Sequence, residues 1–381
     1  MPKRTAVPFA EELGVHFGNG SLFDDRRWNK AGFDIYGNLY DDQPYLEFYV
    51  SKLIKDTYGL KPRVYVHPRS ATLILRTHSK DALQAKIKVG LRPGRKEHLR
   101  LPNFFQTSNR SEAIVQFIRG LFDIEGTLRF RKQFRDQHYY PVLECEMGDP
   151  QFVKSLYRYL TKLGLPVDYR VKGPRTHPLR RAKGAFSISG WKGINAWLET
   201  FGFANAKHAS KLLVAEIFGF CPPHTSLDER LAIIAGEIDP ASFYNKRTGD
   251  LIAVPRYRYA HEMMILRVAC QPQLIRPLVR KMKSRAELTK NVVSKLVTSK
   301  ELQIRRTRSG NEIETTERGL NRLSNLSDAW NELRPRYGIT IPDDLSYCPS
   351  VFRQKTLIET TPILNTLQVL KAPVEVKLCR M

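Results

Sequence analysis

The chain has 381 residues, with 62 Lys+Arg against 38 Asp+Glu and a formal net charge of +24. The length points to two or three domains, and the 42% hydrophobic and 10% aromatic fractions suffice for packed cores, which excludes a disordered basic tail. So large a surplus of positive charge costs self-repulsion in a compact state and favours a polyanionic partner, most simply nucleic acid.

No apolar run approaches the ~18–20 residues of a membrane span, and the N-terminal MPKRTAVPF lacks the apolar core of a signal peptide. Cys145, Cys221, Cys270, Cys348 and Cys379 are scattered, with no CxxC pair or zinc-spaced Cys/His cluster. They are expected to be free thiols in a reducing intracellular compartment, cytoplasm or nucleoid.

In chain order, the first punctuated segment runs from Glu12 to Leu22, with glycines at Gly14, Gly18 and Gly20 and a polar Asn19 between the last two. Tyr45 to Tyr58 has helical periodicity and ends at Gly59, a C-cap residue type. The following LKPRVYVHPRSATLILRTHSKD reads as two strands around a His-Pro-Arg-Ser turn. Alternation there places Arg63, Tyr65, His67 and Arg69 on one face, with Val64 and Val66 opposite; Arg76 lies on the second strand.

The plan then recurs. A second punctuated segment runs from Phe117 to Leu128 and contains Gly120, Glu125 and Gly126; Gly20 and Gly126 are 106 residues apart. Phe152 to Leu163 is helical and ends at Gly164, LPVDYRVKG and GAFSISGWKG read as strands, and a third helix closes this copy near Asn195 to Phe201. Arg129 and Arg131 share a strand face opposite Leu128 and Phe130, Lys132 and Arg135 lie nearby, and Arg170 alternates with Lys172 on a later strand. For any single strand an ordinary solvated face is the simpler reading. Three such strands in a duplicated chain of charge +24 favour nucleic-acid contact. Gly14, Gly18 and Gly120 would let two helices approach backbone to backbone, bringing Asn19 and Glu125 together near a pseudo-two-fold axis. Gly20 and Gly126 suit a sharp helix-to-strand exit.

These residues resemble a two-motif, single-chain LAGLIDADG homing endonuclease. The second motif, IRGLFDIEG from Ile118 to Gly126, fits the family closely; the first, ELGVHFGNG from Glu12 to Gly20, departs from it at Asn19. The similarity covers residues 8–220, including the ending Phe201-Gly202-Phe203, Asn205, Lys207 and His208. It implies an α+β fold: two pseudo-symmetric αββαββα repeats, 8–110 and 111–220, forming a saddle that straddles double-stranded DNA, in a monomer. It also implies that the acid before each motif's final glycine holds a divalent metal, Mg²⁺ in the first instance. Glu125 fits this role. Asn19 has a neutral amide there, so metal-dependent cleavage is expected to be weakened or lost. The family's basic or amide residue one strand later has no lysine counterpart in Ile35 to Asn38 or Glu146 to Asp149. Asp24, Asp25 and Asp123 are candidate substitute acids, the first two set beyond the helix end and the third on another face from Glu125.

Residues 221–255 read as a linker with a short helix. His261 to Met282 is largely helical, interrupted at Pro272 and Pro277, and Ala286 to Lys300 is amphipathic, with Lys290 and Lys295 outward. A basic hairpin around Ser309-Gly310-Asn311 follows, then a helix starting near Thr315 or Thr316. This order resembles a winged helix-turn-helix over 256–335, with Arg305, Arg306 and Arg308 on the wing placed to touch phosphates. The plainer reading is a helix pair that only packs against the rest. Residues 336–381 form an extension without a defined role. Two alternatives stay open besides a fully active endonuclease: a non-catalytic transcription regulator, and a binder of structured RNA akin to intron maturases.

Overall fold

The computed structural model describes residues 6–25, 27, 30–67, 70–94, 96, 98–107, 112–173, 182–252, 257–282 and 285–339. Arg69, Cys348, Cys379 and most of the C-terminal extension lie outside them. The architecture is mixed α/β with three antiparallel sheets.

Helix α1 (Ala6–Asn19) leads into β1 (Gly20–Asp25) and β2 (Lys30–Asn38). A π-helical turn (Tyr45–Val50) runs into α2 (Ser51–Tyr58), which Gly59 ends in the left-handed conformation at φ 69°. Strands β3 (Arg63–Val66) and β4 (Thr72–His78) and helix α3 (Lys80–Lys88) complete this part, whose sheet has the order β1-β2-β4-β3. A short helix, α4 (Phe104–Thr107), precedes α5 (Glu112–Glu125), β5 (Thr127–Arg131), β6 (Tyr140–Met147), α6 (Pro150–Lys162), β7 (Val167–Lys172), β8 (Lys183–Ser189) and α7 (Gly190–Thr200). The second sheet has the order β5-β6-β8-β7, the same pattern as the first.

Local chemistry explains the starts and stops. Asp149 caps α6 by accepting from the Gln151 and Phe152 N–H groups, and Pro150 takes the first helical position, where no N–H is needed. The second Asp149 oxygen accepts from the Leu99 N–H at 2.8 Å, fastening the connection between the sheets to α6.

The two sheets share one core. Leu13 and Phe17 of α1 meet Phe117 and Leu121 of α5, all at or below 2% exposure, and Phe17 packs edge-on against Phe117 at 5.2 Å and stacks with Phe152 at 5.5 Å. Phe33, Ile35, Leu73 and Leu75 line the apolar face of the first sheet; Leu143, Cys145, Phe186 and Ile188 line that of the second.

Beyond them come α8 (Ala206–Phe218), α9 (Leu227–Ile234), α10 (Arg258–Val268), β9 (Gln273–Leu274), α11 (Ile275–Lys281), α12 (Ala286–Thr298), β10 (Leu302–Thr307), β11 (Gly310–Thr315) and α13 (Glu317–Tyr337). The stretch read as a linker contains α9, whose Leu227, Leu231 and Ile233 are fully buried behind a capping box between Ser226 and Glu229. Pro272 falls between α10 and β9. The two-residue β9 pairs with β11, giving a three-stranded sheet of order β10-β11-β9. This C-terminal module is fastened to the segment after β2, where Tyr257 stacks on Tyr40 at 5.0 Å and the Tyr40 hydroxyl is 2.8 Å from His261 Nδ1, and to α9, where Arg267 donates to both Asp228 oxygens at 2.6 and 2.9 Å. Among the described residues no helix is long and apolar enough to cross a membrane.

Candidate functional site

The helix pair α1–α5 sets the geometry. A Cβ on Gly14 would collide with the Phe117 carbonyl oxygen, and one on Gly120 with the Glu11 carbonyl oxygen. Each helix therefore presses its backbone against the other, and only glycine fits. Gly18 works at the same seam, where a Cβ would clash with Ile124 and lie 3.2 Å from the Glu125 Cβ. Gly20 and Gly126 have a different basis from the one expected. Neither has a positive φ; a Cβ on Gly20 would run into the His16 ring, and one on Gly126 into the Phe122 ring and carbonyl. They are required by space at the helix exit.

This packing puts the ends of both helices side by side. Glu125, the last residue of α5, lies against Gly18, the neighbour of Asn19, and both Asn19 and Glu125 are half-buried. Burial pushes the Glu125 carboxyl up to about 7, against the opposing pull of Lys96, Lys207 and Lys183. Asp123 has a separate place: it is fully buried and accepts from the Ala204 N–H at 2.7 Å. Asp24 and Asp25 are exposed at the far end of β1.

Lys96 comes from the connection between the sheets, where the sequence shows no motif. Its Nζ donates to the carbonyls of His16, Phe17 and Gly18 at 2.8, 3.0 and 2.6 Å. An ammonium there satisfies carbonyls of the last turn of α1 and complements the negative end of the helix dipole. Burial lowers its pKa to about 7, against the attraction of Glu125. Asn205 ties the neighbourhood together, its Nδ2 donating to Asp42 Oδ1 and to the Asp123 carbonyl, each at 2.9 Å, while Lys207 pairs with the same Asp42 oxygen at 2.9 Å.

The polar faces of the sheets carry the remaining candidates. Arg63 and Tyr65 are exposed on β3 and His67 just beyond it, with Val64 and Val66 turned inward. Arg76 is bound at both ends to Asp34, at 2.7 and 2.8 Å, with its guanidinium over the Phe23 and Tyr65 rings. On the second sheet Arg129, Arg170 and Lys172 all donate to Glu144, and Arg131 stands 3.9 Å from it. Glu144 pairs with Thr127 across β5–β6 and Asp34 pairs with Ser21 across β1–β2. Counted from Gly126 and Gly20, these two acids occupy the same register position. Lys132 donates to the Gly249 carbonyl at 2.7 Å, and the Arg135 guanidinium lies over the Tyr139 ring at 5.3 Å.

In the C-terminal module Arg305, Arg306 and Arg308 are exposed on the hairpin, Arg305 pairing with Glu314 at 3.0 Å. Lys290 is exposed on α12, near Glu287. Lys295 is exposed as expected, yet its ammonium is held 2.5 Å from Glu262, a carboxylate of 2% exposure that also pairs with Arg322. A buried acid captures it because an unpaired charge there would be costly.

Sequence reasoning passed over Lys96, Asp34 and Glu144. Lys96 gives no signal, because nothing in a loop sequence states what it folds back to meet. The two acids do, since each interrupts an otherwise apolar strand (Phe33-Asp34-Ile35 and Leu143-Glu144-Cys145), and a carboxylate in such a run needs a partner.

Around Glu125 the donors for a divalent metal are few. Among the described residues no group of three or more His, Cys, Asp or Glu side chains could hold one. Hard cations require several oxygens, and here Glu125 and the neutral Asn19 amide stand among the ammoniums of Lys96, Lys207 and Lys183, while Glu146 is occupied by Lys172 and Lys183. That set fits a single cation whose remaining oxygens come from elsewhere, such as a phosphate, and does not fit a pair.

No family model matches the chain, and no curated protein does. It is similar to solved structures of the homing endonuclease I-DmoI (14% identity, TM-score 0.36, 52% of this chain and 97% of that one), of the homing endonuclease I-WcaI bound to its DNA recognition sequence (10%, 0.36, 51% and 80%), and of the LAGLIDADG homing endonuclease I-GzeII in complex with a DNA target (9%, 0.35, 56% and 90%). At such identities and scores these are likenesses only.

Proposed function

We propose that the chain is a LAGLIDADG homing-endonuclease-type protein that binds a long asymmetric site on double-stranded DNA. The observation that carries this reading is the reciprocal glycine seam of α1 and α5, flanked by two sheets of identical strand order. In this reading 8–110 and 111–220 are repeats of one unit, and their polar strand faces lie along the major groove. The helix interface is satisfied within one chain, so the protein acts as a monomer. Residues 256–335 act as a winged helix: the β9–β11 pairing, α12 and the basic β10–β11 hairpin suit that module, with the wing arginines on phosphates.

Glu125 would hold a divalent cation such as Mg²⁺, whose role would be to activate water and to neutralise charge developing at the phosphate. Asn19 contributes no charge, and the Lys96 ammonium at the end of α1 repels a second cation. Cleavage is therefore weakened, or confined to one strand. In an assay on randomised duplexes with Mg²⁺ or Mn²⁺, the wild-type chain should bind selectively and cut weakly. Asn19→Asp should raise cutting, and Glu125→Gln should remove what cutting there is. Strong double-strand cleavage by the wild type would overturn the weakened site, and failure to bind any duplex would overturn the DNA reading.

A further inference from the structure

The polar face of the second sheet is organised differently from a set of free arginines. Glu144 projects from β6, and its side chain is 8% exposed beneath cations from two other strands: Arg129 on β5, and Arg170 and Lys172 on β7. Strand β8 lies between β6 and β7. The residues of β8 paired with Glu144 and Glu146 are Ser187 and Ala185. Because these are small, the long β7 side chains can lean across β8 to reach the acid. Lys172 also donates to Glu146, whose other oxygen lies 3.1 Å from Lys183. On the first sheet the register-equivalent Asp34 ties down Arg76 with both its oxygens.

We infer that Glu144 is a positioning residue for DNA specificity: it fixes the guanidinium planes of Arg129 and Arg170 for base edges and withholds the cluster from indiscriminate phosphate contact. The inference rests on the DNA-binding reading above. Each guanidinium is tethered to Glu144 at one Nη2, which restricts its swing and leaves its Nε and Nη1 N–H groups for a bidentate contact to a guanine edge. The same carboxylate competes with phosphate for each cation, so an arbitrary stretch of backbone gains less from meeting this face. Its pairing to several cations holds the Glu144 carboxyl at about 2 despite burial, so the arrangement persists at any pH used for binding. On the first sheet Asp34 fixes one arginine firmly, so fewer of that face's cations are withheld from phosphate.

The test is site selection from a randomised duplex pool, with salt-dependent binding to a non-specific duplex, for the full chain and for Glu144→Gln. Wild type should select a defined site. Glu144→Gln should blur one half of that site and leave the other, tighten non-specific binding about 10-fold, and steepen the salt slope by about 1–2. An unchanged site and slope would overturn the inference. So would uniform weakening across both halves with an unchanged slope, the signature of a role in the scaffold alone. Should Glu144→Gln fail to fold by circular dichroism, Arg170→Gln serves, because it leaves Glu144 paired to Arg129 and Lys172. It should blur the same half-site, and an unaltered selection would again overturn the inference. Absence of duplex binding by the wild type would instead remove the underlying reading.

Discussion

Gly14 and Gly120 hold reciprocal positions: Gly14 rests on the Phe117 carbonyl and Gly120 on the Glu11 carbonyl. Residues 11 and 117 are separated by the same 106 positions as 14 and 120, so each glycine meets the counterpart of the other's neighbour. Adding a side chain to either forces the backbones apart along the whole seam. Gly120→Val should lower the melting temperature by roughly 5–10 °C. Gly148→Ala, at a glycine whose Cβ would meet nothing within 4 Å, should leave it nearly unchanged. Differential scanning calorimetry of the two variants checks this.

Glu12 and Lys86 form a fully buried pair, Nζ to both carboxylate oxygens at 2.6 and 2.7 Å, with the Tyr58 hydroxyl donating to Glu12 at 2.9 Å. Lys86→Met alone strands the carboxylate and should cost about 3–5 kcal/mol in chemical denaturation. Combining it with Glu12→Leu should recover more than half of that loss. A remainder of about 1–2 kcal/mol should come from the Tyr58 hydroxyl left without an acceptor.

His261 gives a pH dependence with a definite sign. It bonds Tyr40 and, at 3.1 Å, Thr289, and burial with the nearby Arg285 charge lowers its pKa from 6.5 to about 4. As pH falls, the unfolded chain takes up this proton near 6.5 while the folded chain refuses it until about 4. The stability associated with neutral His261 is thus complete above 6.5 and drains away between 6.5 and 4, by up to about 3 kcal/mol. His261→Asn removes that drain, so the gap in melting temperature between wild type and variant should narrow on acidification from about pH 7 to about pH 5. A constant gap would show that the ring is not what titrates.

In the proposed winged-helix reading, the hairpin arginines should act on binding and not on folding. Arg306 and Arg308 are exposed, so Arg306→Ala with Arg308→Ala should leave the melting temperature within about 1–2 °C. The salt slope for duplex binding should become shallower by about 1 for each phosphate no longer neutralised, and affinity should fall evenly across sequences. A drop in selectivity at particular base positions would mean that the wing reads bases.

Periodicity and glycine spacing made much of the first 220 residues legible. The helix ends at Gly59 and Gly164, the alternation along β3 and β5, and the glycine seam are local signals, because burial of one face and the close approach of two helices restrict residue type position by position. The π-helical turn before α2 and the two-residue β9 were not readable. The first is a fault in an otherwise helical pattern, and the second is too short to have a period and exists only because β11 lies beside it. The Lys295–Glu262 pair was not readable either, because helical spacing says nothing of Glu262 on α10. Lys96 was invisible for a stronger reason: its partners are backbone carbonyls, which every sequence has.

Lys96 also bears on how such a chain can change over generations. The peptide joining the two sheets is ordinarily the part most open to insertion, deletion or exchange. Here that peptide reaches back to fasten the last turn of α1, beside Glu125 and Asn19. Recombining the halves, or reprogramming one of them with a partner from another chain, would have to preserve the joint as well as the units it joins. The connection is inherited as part of the site.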